Sequence, residues 1–210
     1  MLERIDRRLT IMISGIICLL TGIVVFSASI SQAVAQMGQM QMQNSNATAE
    51  MRNMIFGSYK NSTLAINFQH PKAWPISTQE IGPLTIVKLN TTRQSDMDII
   101  PPIILLSVGA LPQNSKTLDD LTRINMAEAA KTNNFHLIDS NATNLGGISA
   151  KKILYSYSSD DPSLTLPLKS MDIWTVKNGK KYTFSYIDAQ RDFDKQLPVV
   201  NKILDSIKIN

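Results

Sequence analysis

Two histidines, three of the close aspartate pairs and one methionine cluster are the side chains of this 210-residue sequence whose spacing bears on chemistry. Met37-x-x-Met40-x-Met42 has the spacing of a thioether site for Cu(I), because soft sulfur donors select soft copper. No Cys or His joins that cluster, so the plainer reading is a flexible Gln/Met linker. Asp96-x-Asp98, Asp160-Asp161 and Asp192-x-Asp194 offer oxygen donors of the kind Ca²⁺ takes. None sits in an EF-hand frame, and all three read as solvated loop charges. His70, next to Pro71, reads as a hydrogen-bonding loop residue, and His136 alternates with Phe135 and Leu137 as on a strand. A metal site made by either with an aspartate is the alternative. Gly-x-Ser-x-Gly, His-x-x-x-His, a phosphate-cradling glycine loop and a Cys pair are all missing. The expectation is therefore no enzyme, no cofactor, and no residue assigned as catalytic, cofactor-binding or metal-ligating.

Four glycosylation sequons start at Asn46, Asn61, Asn90 and Asn141, close to what chance gives for 15 Asn and 35 Ser plus Thr. Composition is that of a globular chain: 43% hydrophobic, 18% charged, one Cys. Collagen-like, wholly disordered and disulfide-stapled classes are excluded. A net charge of +4, scattered along the chain, lacks the basic stripe of a nucleic-acid binder.

The elements that must carry these residues begin with an export or anchoring segment. Arg4, Arg7 and Arg8 precede a stretch without charge from Leu9 to Ala49, of which Leu9 to Ile30 is strongly apolar. Those 22 residues span roughly 33 Å as a helix, enough to cross the hydrocarbon core. The basic flank stays cytoplasmic, so everything after residue 30 is expected outside. Ala33-Val34-Ala35 also forms a small-x-small cleavage site, so residues 1–35 are a membrane anchor or a signal peptide. Either way the destination is extracytoplasmic, at the outer face of the membrane or secreted. Cys18 lies inside the apolar run after Ile17, which does not fit a lipoprotein site and suits a small lipid-facing hydrophobe. Arg7-Arg8 is a poor match to twin-arginine export, since Asp6 precedes it and Thr10 interrupts the hydrophobic follow-on. Residues 36–56 are a Met/Gln-rich tether, and 57–210 are long enough for one domain.

Within that domain, Leu64–Phe68, Leu84–Leu89, Ile103–Val108, Phe135–Asp139 and Ile148–Tyr157 read as strands. His70-Pro71 to Trp74-Pro75 reads as a turn holding a buried aromatic. Thr117 is a helix N-cap with Asp120 at the third position, and Leu118, Leu121 and Ile124 share a face. Asn178-Gly179 is the favoured pair for a type I′ hairpin turn. Pairing outward predicts Thr175 with Tyr182, Ile173 with Phe184 and Met171 with Tyr186 on one apolar face. Asp172 with Ser185, Trp174 with Thr183 and Val176 with Lys181 make the opposite, mixed face. Trp174 among polar neighbours suits a contact surface, the alternative being that a helix covers it. Phe193, Leu197, Val200, Leu204 and Ile207 mark a closing amphipathic helix that Pro198 either starts or kinks. Strands, a helix, more strands and a closing helix read as α+β, an antiparallel sheet with helices packed on it.

Tyr59-Lys60-Asn61 leading into Leu64–Phe68 and Pro71-x-x-Trp74 resembles the opening of the PsbP family. Gly147–Tyr155, the hairpin Ile173–Tyr186, Phe193 and Leu204–Ile209 are similar to the later course of that family, over roughly residues 57 to 210. The resemblance implies an antiparallel sheet sandwiched between helices, used by non-enzymatic extrinsic subunits and assembly factors of energy-transducing membranes. It implies an accessory partner of a membrane complex; the N-terminal segment, outside the resemblance, holds the chain to the membrane where it is uncleaved. A copper- or small-ligand-binding protein is the alternative.

Overall fold

A computed structural model describes residues 54–91, 100–113, 115–159 and 166–210. The anchor, Cys18, the tether with Met37, Met40 and Met42, and Asn46, Asp96, Asp98, Asp160 and Asp161 lie outside the described residues.

Among the described residues ten strands and two helices follow in the order β1 (Phe56–Asn61), β2 (Ile66–Pro71), β3 (Ile76–Ile81), β4 (Leu84–Asn90), β5 (Ile103–Ala110), α1 (Leu118–Ala129), β6 (His136–Leu145), β7 (Ile148–Ser158), β8 (Pro167–Lys177), β9 (Lys180–Ala189), α2 (Phe193–Ser206) and β10 (Lys208–Ile209). Seven strands form an antiparallel sheet in the order β3-β4-β5-β9-β8-β7-β6, and β1-β2-β10 form a second, three-stranded sheet.

The β8–β9 hairpin has the expected register. Asn178 and Gly179 both take positive φ, 52° and 71°, as a type I′ turn demands, and all six expected pairs stand opposite each other. The inward face carries Met171, Ile173, Thr175, Tyr182, Phe184 and Tyr186, every one buried. They meet alternate residues of β4 and β5, then Ile66 and Phe68 of β2 and Val199, Val200 and Ile203 of α2, in one core. The Tyr186 hydroxyl donates to the Phe193 carbonyl at 2.7 Å, which ties the first turn of α2 to β9. Trp74 is buried in the same core, as its place in the turn predicts.

The opposite face has a smaller core of Leu121 from α1 over Ile153, Tyr155 and Trp174. Thr117 and Asp120 form the expected capping box: Asp120 N donates to Thr117 Oγ1 at 3.1 Å, and Thr117 N to the Asp120 carboxylate at 3.2 Å.

Several expectations are corrected. The second strand starts at Ile66, since Ala65 takes φ 56° and closes the preceding turn. The sheet is not simply sandwiched between helices, because α2 shares its side with the three-stranded sheet. Helix α2 begins five residues before Pro198, so the proline does not start it. Its buried stripe is Phe193, Gln196, Val199, Val200 and Ile203, with Leu197 and Leu204 at the margin and Ile207 beyond the helix end. Packing against both β2 and β9 widens that stripe past a single line of apolar positions.

Candidate functional site

Helix α1 lies over β7 and β8, leaving the same face of β9 and β5 open along its flank. Cross-strand register fixes what forms the floor there. Asp172 on β8 stands between Ile153 on β7 and Ser185 on β9, and Thr183 stands between Trp174 and Ser107 on β5. Hydroxyl residues are small, so a gap remains under the helix. It is a cleft of about 340 Å³, walled by Asn125, Glu128, Ala129 and Thr132 of the helix side, with Lys181 also in its lining. That volume is at the small end of the range for ligand pockets, roughly 300–1,000 Å³.

Asp172 is the electrostatic centre of the floor. The Tyr155 hydroxyl donates to its Oδ2 at 2.9 Å, the Ser185 hydroxyl hydrogen-bonds the carboxylate, and the Ser170 hydroxyl lies beside it without a hydrogen bond of good geometry. Burial pushes the Asp172 carboxyl above its ordinary value, and those hydroxyls partly offset the effect by favouring the charged form. Burial, and then the neighbouring Asp172 charge, push the Tyr155 hydroxyl well above its usual range, so it stays a donor. Among the described residues neither Asp172 nor Lys181 forms an ion pair, whereas Glu128 is met by Lys131 at 2.6 Å.

The residues singled out from sequence sit elsewhere. His70 is half-buried, edge-on to Phe68, with Nδ1 3.0 Å from the Pro71 carbonyl. His136 is exposed at the start of β6, an edge strand of the large sheet. Asp192 and Asp194 do not converge on one point. Asp192 takes Lys195 at 2.7 Å and Arg191 at 3.1 Å, while Asp194 takes Lys169 at 3.2 Å. No three of His, Cys, Asp and Glu gather among the described residues. Of the sequon asparagines, Asn61 accepts from Leu64 N at 3.0 Å, Asn90 exchanges hydrogen bonds with Ser77, and Asn141 is exposed on β6.

Trp174 is not a contact surface. It is 1% exposed beneath α1, and its indole N–H donates to Thr122 Oγ1 at 2.9 Å. The mixed hairpin face did carry the signal of a site. The cleft uses Asp172, Lys181, Thr183 and Ser185 from it, and the aromatic residue became the covered wall. Tyr155 and Ser107 come from β7 and β5, which no local pattern placed beside that hairpin.

An antiparallel seven-stranded sheet with one helix on one face, and a helix plus a small sheet on the other, defines the class of scaffold. No protein-family model matches the sequence, and no curated protein matches it. Solved structures do. Cyanobacterial PsbP (CyanoP) from Synechocystis sp. PCC 6803 aligns at a TM-score of 0.50 and 14% identity, over 74% of this chain and 92% of that one. LpqN of Mycobacterium tuberculosis, described as involved in cell envelope biogenesis, aligns at 0.50 and 16% identity, over 75% and 92%. The chain carries a domain of the PsbP-like fold.

Proposed function

We propose that this chain is a non-catalytic extracytoplasmic protein whose PsbP-like domain works by binding, as an accessory or assembly partner of a membrane complex. The observation that carries this reading is the order of the chain: three arginines, 22 apolar residues, a polar tether and then a PsbP-like domain. That order delivers the domain outside the membrane whether the segment is kept as an anchor or cleaved after Ala35. The involvement of LpqN in cell envelope biogenesis is consistent with it. In-cell crosslinking of the native protein, followed by mass spectrometry, tests the reading. Reproducible crosslinks from the domain to one membrane complex are expected. A domain without partners, or one shielded from external protease in intact spheroplasts, overturns it.

The cleft beside α1 favours a second reading, in which the domain binds a small polar ligand. Convergent groups of opposite charge, with hydroxyls between them, are what orient such a ligand. Asp172 is held in place, since Tyr155 donates to its Oδ2 at 2.9 Å and Ser185 stands opposite it on the neighbouring strand.

A further inference from the structure

Resting on that second reading, we infer that the cleft takes a short dipolar ligand, its ammonium group on Asp172 and its carboxylate or other anionic end toward Lys181.

The argument is one of charge and length. Asp172 is partly buried, and a carboxylate drawn out of water favours a counter-charge, because desolvation costs more than hydroxyl donors return. Asp172 has three hydroxyl neighbours and, among the described residues, no cation. Lys181 lies on the same face of the sheet, since Val176 stands opposite it just as Ser185 stands opposite Asp172. It is four residues along β9 from Ser185, about 13 Å at a strand rise near 3.3 Å. Glu128, the other carboxylate on the cleft wall, is already met by Lys131. The cleft therefore presents one unmatched negative charge, one unmatched positive charge and the hydroxyls of Ser107 and Thr183 between them. A diamine would bring like charge against Lys181, and a dicarboxylate would bring it against Asp172. A zwitterion meets both, and a volume of about 340 Å³ holds on the order of ten non-hydrogen atoms, the size of a dipeptide.

Isothermal titration of the full chain in detergent micelles tests this with three probes. They are alanylalanine, N-acetylalanylalanine (no ammonium) and putrescine (no carboxylate), each up to about 10 mM, the range of weak ligand affinities. Alanylalanine is expected to bind saturably, with at least a tenfold loss on acetylation. Asp172→Asn and Lys181→Gln are each expected to weaken it at least tenfold, with far-ultraviolet ellipticity confirming that the variants fold. Ala129→Phe, which fills the cleft and leaves both charges in place, is expected to abolish binding. Affinity for alanylalanine unchanged in Asp172→Asn, or matched by the other two probes, overturns the inference. If putrescine or the acetylated peptide alone binds and Ala129→Phe blocks it, the dipolar assignment falls while the ligand-binding reading stands. If no probe binds, both fall.

Discussion

Replacing Gly146 with alanine tests how the β6–β7 turn and the chain's last strand are locked together. Gly146 takes φ +63°, which costs an alanine about 1 kcal/mol by itself. A Cβ there would lie 2.6 Å from Ile209 Cγ1 and 2.9 Å from Ile209 N. Rotating the Ile209 side chain relieves the first contact, but the second is with backbone, so β10 must move. That strand is held by its pairing with β2, by Lys177 Nζ donating to the Ile209 carbonyl at 2.8 Å, and by Asn210 N donating to the Ala65 carbonyl at 2.8 Å. Ile209 is itself buried, and exposing it costs about 2–3 kcal/mol. The expected loss for Gly146→Ala is therefore roughly 3–4 kcal/mol. Gly147→Ala supplies the control: φ is +84° there, yet nothing lies within 4 Å, so the loss is about 1 kcal/mol. Thermal melts followed by circular dichroism should separate the two variants by roughly 5–10 °C for a domain of this size. Two variants melting within about 2 °C of each other, less than 1 kcal/mol apart, would refute the clash with β10.

Trp174→Ala should cost about 3–5 kcal/mol, because it empties a fully buried site and strands the Thr122 hydroxyl. An unchanged melting temperature would mean that α1 does not cover it. Thr117→Ala removes the acceptor for Asp120 N and should cost about 1 kcal/mol, whereas Thr117→Ser should restore most of that in the same melts. For Asp172 the folded chain holds its proton more tightly than the unfolded chain does, because burial raises the carboxyl above its ordinary 3.8. That contribution is full below the unfolded value and is lost as pH rises through the folded one. Asp172→Asn does not titrate, so its melting temperature should gain on the parent's as pH rises from about 4 to neutrality. A gap that stays constant with pH would rule out the buried ionisation.

Much of this architecture was legible because it is local. Asn178-Gly179 sets a two-residue turn, and a fixed turn sets every pair outward from it, so the β8–β9 register and the buried face follow from the residues alone. Thr117 with Asp120 similarly announces the start of α1 through hydrogen bonds that close within four residues. Strand β3 escaped the same reading because it is an edge strand, exposed at five of six positions, so Ile76–Ile81 shows no alternation. Strands β1 and β10 are likewise invisible to periodicity. The first has no buried residue, and the second is two residues long, held by partners 141 and 143 positions away.

The sequence by itself determined an apolar segment ahead of a polar tether, an α+β order of elements and a hairpin with one apolar and one mixed face. These rest on composition, turn chemistry and side-chain period, all properties of neighbouring residues. Only the tertiary structure decided what lies over the mixed face. Helix α1 packs across β7 and β8 and stops short of β9, so Trp174 is covered while Ser185, Thr183 and Lys181 line an open cleft. Tyr155 reaches Asp172 across 17 residues of chain, and Ser107 meets Thr183 across 76. Contacts at such separations come from the order of strands in the sheet, which no local period encodes.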